Sequence, residues 1–217
     1  MQKVVGLVGL RGSGKDTAAK VLVEHGWRRI AFADALYQEV SKAFGVSVDF
    51  LGDRDKKESP QDELALHHCL EHTFITMMLA HEGLRVGHSS AQELFACLGK
   101  PRSPREILQK WGTEYRRMSF RDDYWRAQVH EAIQAEPKVN FVVTDVRFPD
   151  EARLIEVQLQ GQLGRVVRPS LPGADDPALL HASEVAMRDY PIEQVFINEE
   201  GLEKLPQFQA KVLAALH

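Results

Sequence analysis

Long apolar runs are missing from this chain. None of its 217 residues sits in an uninterrupted apolar stretch near the ~18 residues that a membrane-spanning helix needs. Cysteine is scarce as well. The two present, Cys69 and Cys97, are too few for a disulfide framework, and a reducing, cytoplasmic setting is expected. Charge of one sign is lacking: 27 Lys and Arg face 31 Asp and Glu, a net −4. That balance argues against a dedicated nucleic-acid binder, although one local basic cleft would be compatible with it. With 15 Gly and 10 Pro, the collagen-like and low-complexity classes are excluded. Met1-Gln2-Lys3 runs straight into a strand-like pattern, so no signal peptide is expected. What remains is a chain long enough to bury roughly 70% of its unfolded surface without staples.

The apolar pattern alternates between two periods. Residues 3–8 form a β-branched run, then Gly9 to Gly14 a glycine-rich loop, then 15–25 a helix ended near Gly26. Arg29 to Ala33 is a second predicted strand, and Asp34 is placed to cap a helix that Gly45 stops. The middle differs: 46–60 is polar and predicts a loop, and 61–82 predicts one helix on Leu64, Leu66, Leu70, Phe74, Met77 and Met78. A short helix is expected near 91–98. Pro104 starts another that reaches Met118 around Gly112, and one more spans 122–135. Strands return at 139–145, 165–168 and 194–198, with helices from Pro149 to Leu159 and over 201–216. Such alternation predicts one α/β domain over 1–217, a parallel sheet with helices on both faces and a helical insert at 46–135. Residues 169–180, with three prolines, predict a loop.

Gly9-Leu10-Arg11-Gly12-Ser13-Gly14-Lys15 has the spacing of a phosphate-binding P-loop. Its three fixed positions match a chain this long by chance roughly one time in twenty, so context matters. The loop leaves an apolar strand and opens a helix, as the mechanism requires. Glycines let backbone N–H groups turn towards phosphate oxygens, and the helix N-terminus adds positive potential. The phosphate-binding candidates are Gly9, Arg11, Gly12, Ser13, Gly14, Lys15, Asp16 and Thr17. Lys15 would neutralise β/γ-phosphate charge. The usual hydroxyl residue after the lysine is Asp16 here, followed by Thr17. Either of the two fits the Mg²⁺-linked role, because Mg²⁺ takes oxygen ligands and keeps several waters. Without a Mg²⁺ role, Asp16 would be a first-turn acid that favours the helix dipole.

Asp145 ends the third strand of that reading, where ligands gather at the carboxyl edge of a parallel sheet, and is a second Mg²⁺ candidate. Arg147 and Arg168 each follow a strand end and suit bidentate phosphate recognition. Arg105 and Arg116 lie about three turns apart, so a straight helix would put both on one side. His68 and His72 have i, i+4 spacing, but no further ligand signature follows, and a zinc site is not expected.

Together, Gly9 to Thr17 (GLRGSGKDT), Phe32 to Leu36 (FADAL), Pro104 to Gln109 with Gly112 to Arg116 (GTEYR), Thr144 to Glu151 (TDVRFPDE) and His181 to Glu184 resemble the bacteriophage-type deoxynucleoside monophosphate kinases. The matches keep their order along nearly the whole chain. The resemblance implies a five-stranded parallel sheet ordered 2-3-1-4-5, with ATP as co-substrate, Mg²⁺ and a deoxynucleoside monophosphate as acceptor. It implies catalytic roles for Lys15, Arg147 and Arg168. It implies an acceptor site from Asp34, Arg105, Glu114, Arg116 and Arg147, a lid at 169–183, and Asn198 and Gly201 near the adenine. It also implies a homodimer, with neither nucleic acid nor membrane as a partner. Tyr37 departs from the pattern, standing where such kinases often carry a lysine. Two other readings of the P-loop stay open. One is a kinase with a hydroxyl acceptor, like dephospho-CoA kinases, with Asp34 as base. The other is a nucleotide-binding protein without turnover.

Overall fold

The opening apolar run becomes a strand, Val4–Val8 (β1), with all five residues buried. The computed structural model describes residues 2–171, 186–199 and 204–216. In chain order β1 is followed by Lys15–Glu24 (α1), Arg28–Ile30 (β2), Phe32–Phe44 (α2), Val48–Gly52 (α3), His72–His81 (α4) and Ala91–Gly99 (α5). Pro104–Gln109 (α6), Tyr124–Gln134 (α7), Phe141–Val143 (β3), Pro149–Arg153 (α8), Gln162–Val167 (β4), Gln194–Ile197 (β5) and Leu205–Leu216 (α9) complete the set. The sheet has five strands in the order β2-β3-β1-β4-β5, as the resemblance implies. Every pair is parallel, with Val5 opposite Val142 and Gly6 opposite Leu163.

The chain divides into two units, Met1–Phe32 with Arg126–His217, and Ala33–Trp125. The first holds the sheet. Strand residues alternate between faces, so Val4 and Val8 join Val129, Ile133, Phe141, Ile155 and Leu163 in one core layer. Val5 and Leu7 join Leu22, Val166, Phe196, Phe208 and Val212 in the other. The strand pattern therefore decides which helices cover which face: α7 and α8 with its continuation on one, α1 and α9 on the other. Gly6 permits close packing; a Cβ there would lie 2.8 Å from Leu163 Cδ2. Phe32 already opens α2, so β2 ends at Ile30 and Asp34 lies in the first turn. This corrects the expectation that Asp34 caps the helix.

The second unit packs around Trp111, with Phe74 at 4.6 Å and Tyr115 at 5.0 Å between ring centroids. Two expectations fail here. The polar stretch 46–60 contains α3, because the Ser47 side chain accepts the Phe50 N–H at 3.0 Å and caps it. The single helix expected over 61–82 is broken into short turns at Asp62–Leu64 and Leu66–His68 before α4. Leu64, Ala65 and Leu66 are all buried. Three consecutive residues cannot share one helical face, so the chain turns extended at Ala65 and Cys69. Leu70, counted as apolar core by pattern, is exposed.

From Lys110 to Met118 the helix begun by α6 widens to i→i+5 turns. Gly112 is buried in that stretch, with a Cβ site 3.3 Å from Leu36 Cδ2, and its carbonyl accepts the Trp125 indole N–H at 3.1 Å. The wider turns change the angular phase, so the straight-helix argument that aligned Arg105 with Arg116 does not hold.

Candidate active site

The loop between β1 and α1 is built on three glycines with positive φ: Gly9 at 152°, Gly12 at 82° and Gly14 at 106°. Two of them are also closed to any side chain. A Cβ on Gly9 would lie 2.3 Å from the Val166 carbonyl oxygen, and one on Gly14 would lie 2.3 Å from Asn198 Nδ2. Ser13 sits between them, 1% exposed, and among the described residues its Oγ has no hydrogen-bond partner. A buried hydroxyl of that kind costs about 1–3 kcal/mol unless something pairs with it. Lys15 folds back over the loop, its Nζ donating to Gly9 O at 2.7 Å and Leu10 O at 2.8 Å. Asp16 is exposed in the first turn of α1, and Thr17 is half-buried beside it.

The ends of β4 and β5 touch this loop. The Asn198 N–H donates to Val167 O at 2.8 Å and continues the sheet beyond β5. Its side-chain amide donates to Ser13 O at 2.9 Å and braces the loop. Asp145, just past β3, accepts the Phe32 N–H at 2.7 Å through Oδ1. Arg147 is exposed, and among the described residues its guanidinium has no hydrogen-bond partner. Its backbone N–H donates to the buried Glu151 carboxylate at 2.8 Å, which also takes the Phe148 N–H. Glu151 thus fixes the turn that carries Arg147. Arg168 is half-buried after β4, and its carbonyl accepts the Leu171 N–H. Gly201, the His181–Glu184 segment and 172–183 of the lid lie outside the described residues.

In the second unit Arg105 pairs with Glu58, Nε to Oε1 at 2.6 Å. Glu114 accepts from Lys110 Nζ at 3.0 Å, and that ammonium also meets His81 Nε2 at 3.0 Å. Asp34 is half-buried in α2. The Tyr37 hydroxyl, at the departure from the family pattern, accepts from Lys57 Nζ at 3.1 Å. Arg116 donates through Nε to Glu39 Oε2 at 2.7 Å. Burial works against its charge, but the hydrogen bond and the charge of Glu39 outweigh that and push its pKa up. Sequence reasoning missed Glu39, Trp111 and Tyr124. The only available signal was an acid at i+3 from Leu36 and i−4 from Ala43, beside the apolar side of α2. It missed Arg102 too, which is fully buried with Nη1 on Lys100 O and Nη2 on Cys97 O.

The residues present fit a triphosphate and its ion. The buried, orphaned Ser13 hydroxyl lies in the glycine loop, where a phosphate oxygen would give it a partner. Among the described residues no group of three or more His, Cys, Asp and Glu could hold a metal ion. Asp16 and Asp145 would supply the one or two carboxylates that Mg²⁺ takes alongside phosphate and water. Among the described residues no helix is long and apolar enough to cross a membrane.

No protein-family model matches the chain. It is 29% identical over 185 residues to the deoxynucleoside-5'-monophosphate kinase of Escherichia phage T5, covering 71% of this chain and 72% of that one. It is 25% identical over 228 residues to a protein of Acanthamoeba polyphaga mimivirus, provisionally named a deoxynucleotide monophosphate kinase. That match covers 98% of this chain and 95% of the relative. Among solved structures it aligns with the dephospho-CoA kinase of Campylobacter jejuni at a TM-score of 0.48 and 15% identity, over 99% of this chain and 96% of that one. A Thermus thermophilus protein aligns at a TM-score of 0.43 and 16% identity, over 100% and 98%. The fold is carried instead by the strand order and the loop geometry above. On those grounds the chain has the fold of a P-loop α/β kinase, and its sequence is similar to two viral proteins named as deoxynucleoside monophosphate kinases.

Proposed function

We propose that the chain transfers the terminal phosphoryl group of ATP to a deoxynucleoside monophosphate, giving the diphosphate. The observation that carries this is the loop at Gly9 to Lys15. It buries an unpartnered Ser13 hydroxyl, leaves no space for side chains at Gly9 and Gly14, and keeps Lys15 on its own carbonyls. A bound triphosphate would give Ser13 an acceptor and draw Lys15 from Gly9 O and Leu10 O onto β/γ oxygens. What supports the acceptor half is the name of the two viral relatives, one of which matches almost the whole chain.

The acceptor phosphate has a second pKa of about 6 and is ionised at neutral pH. Its own oxygen is the nucleophile, and no general base is needed. The protein's work is positioning and charge neutralisation. Lys15 holds donor phosphates, while Arg147 and Arg168 offset charge on the transferred group. Asp34, Arg105, Glu114, Arg116 and Arg147 bind the acceptor. Asn198 and Gly201 lie near the adenine, and 169–183 limits water access. Asp16 or Asp145 would hold Mg²⁺, partly through water, and the ion would supply further charge neutralisation. A homodimer goes with the same reading, and sedimentation analysis tests it.

The decisive experiment is an ADP-release assay over dAMP, dGMP, dCMP, dTMP and dephospho-CoA, with wild type and Lys15→Ala. Turnover is expected on one or more deoxynucleotides, falling about 10³-fold or more in the variant at unchanged fold. Dephospho-CoA as the sole acceptor, or a variant that keeps most of its kcat, overturns the reading.

A further inference from the structure

Arg116 and Glu39 form a connected polar group in the second unit with Trp111 and Tyr124, and Glu39 has no part in the function described so far. An arginine presents five N–H donors in a rigid fork. Arg116 commits the Nε donor to Glu39 Oε2 at 2.7 Å. Its four other donors, on the two terminal nitrogens, have no protein acceptor among the described residues. The side chain is nevertheless only 15% exposed. Four rings enclose the guanidinium carbon, with centroids at 4.6 Å (Tyr115), 5.0 Å (Phe120), 5.1 Å (Tyr124) and 5.8 Å (Trp111).

Glu39 ties this cage together. Its Oε2 also accepts the Trp111 indole N–H at 2.8 Å, and its Oε1 accepts the Tyr124 hydroxyl at 2.6 Å. One carboxylate therefore anchors the cation and two of the four walls. Burial and the neighbouring carboxylate push the Tyr124 hydroxyl up to about 12, so it remains a donor at neutral pH.

A purely structural ion pair would leave a different pattern. Arg102 in the same unit supplies the comparison: fully buried, it spends both terminal nitrogens on backbone carbonyls. Arg116 does the reverse, fixing its inner nitrogen and leaving the outer pair for something else. Two parallel N–H donors on a planar fork enclosed by aromatic rings match the oxygens of a phosphate or carboxylate. Holding the fork in advance removes the entropy that a long side chain would otherwise lose on binding. The helix turns that carry Trp111, Tyr115 and Arg116 are the widened ones, a geometry often found at functional sites.

We infer that Glu39 is a positioning residue: by fixing Arg116 through Nε, with Trp111 and Tyr124 as braces, it presents the outer guanidinium edge to the acceptor's phosphate. This rests on the proposed phosphoryl transfer to a nucleoside monophosphate and assigns a role to a residue outside that reading. Glu39 does not touch the substrate in this account. Its effect passes entirely through Arg116.

The test is steady-state kinetics on the full chain with ATP and whichever of dAMP, dGMP, dCMP and dTMP is turned over best. The variants are Glu39→Gln, Glu39→Asp, Arg116→Ala and the Glu39→Gln, Arg116→Ala double. Glu39→Gln should raise the acceptor KM about tenfold while the ATP KM stays within about twofold. Glu39→Asp, which keeps the charge, should recover part of that loss. In the Arg116→Ala background Glu39→Gln should change the acceptor KM by less than about twofold. Equal losses in both backgrounds, or a rise of both KM values together with a lowered melting temperature, overturn the inference. Should Glu39→Gln not fold, Tyr124→Phe removes a single hydrogen bond to Glu39 and carries the same test: a rise in acceptor KM alone supports the inference, and no rise overturns it. Wild type inactive on all four monophosphates defeats the functional reading. An active wild type whose acceptor KM is untouched by Arg116→Ala defeats this inference alone.

Discussion

Tyr124 shows how one residue's surroundings set the pH response. Its hydroxyl is half-buried, donates to a carboxylate and has its pKa pushed up to about 12 by desolvation first and Glu39 second. An unfolded tyrosine titrates near 10. The protonated form is the one the fold favours, so this contribution is complete below pH ~10 and fades as pH climbs towards 12. Tyr115 moves in the same direction, again mainly by burial. Tyr124→Phe is therefore expected to destabilise at pH 8, where a buried hydrogen bond is lost, by about 1 kcal/mol. The gap to wild type should shrink between pH 10 and 12. Urea midpoints across that range check it, and a constant gap excludes the coupling. Cys69 follows the same logic: burial raises its thiol to about 11, which leaves it protonated and inert at neutral pH.

The loop between β1 and α1 is the element on which the proposed function depends, and its geometry is legible in the sequence because only glycine fits. Gly14 holds φ at 106° with Asn198 against it. Alanine there pays about 1–2 kcal/mol for the left-handed backbone. It also displaces the Asn198 amide from Ser13 O, about 1 kcal/mol more. Gly14→Ala should thus lower stability by about 2–3 kcal/mol, read from denaturant curves, and weaken ATP binding in calorimetry. Tight ATP binding by that variant would disprove the cradle. The α6 segment was far less legible. Ser103 and Pro104 announce its start, with the Ser103 side chain accepting the Glu106 N–H at 3.2 Å. Nothing local announces that its turns widen after Gln109. That change follows from burying Trp111 and Tyr115 together while Gly112 lies against Leu36 and Trp125, and those partners are distant in sequence.

At the scale of the molecule, each of the two units has its own core, one around the sheet and one around Trp111. A ligand that binds only the native state stabilises it by mass action, about 2.7 kcal/mol at a hundredfold excess over Kd. For a chain of this size that corresponds to roughly 5–10 °C in melting temperature. ATP with Mg²⁺ is expected to raise the wild-type midpoint by that amount, and Lys15→Ala to keep less than half of the shift. Scanning calorimetry decides it. No shift in wild type would mean that the cradle does not hold a triphosphate. Two cores also explain why the sequence was clearer in one unit than the other. Short apolar runs recur at β1, β3 and β4, so the sheet could be read. The Leu64-Ala65-Leu66 run shows no single period, and its broken turns could not.

The sequence by itself determined the phosphate loop, the parallel sheet and the burial of its two faces. These follow from local rules: glycine where φ is positive, and short β-branched runs set between helical patterns. Only the tertiary structure decided that Asn198 braces Ser13, that Glu151 ties down the Arg147 turn and that Glu39 gathers Arg116, Trp111 and Tyr124. Each is a polar contact between residues far apart in the chain or on adjoining turns. The direction of a hydrogen bond depends on where packing puts both partners, which no local pattern encodes.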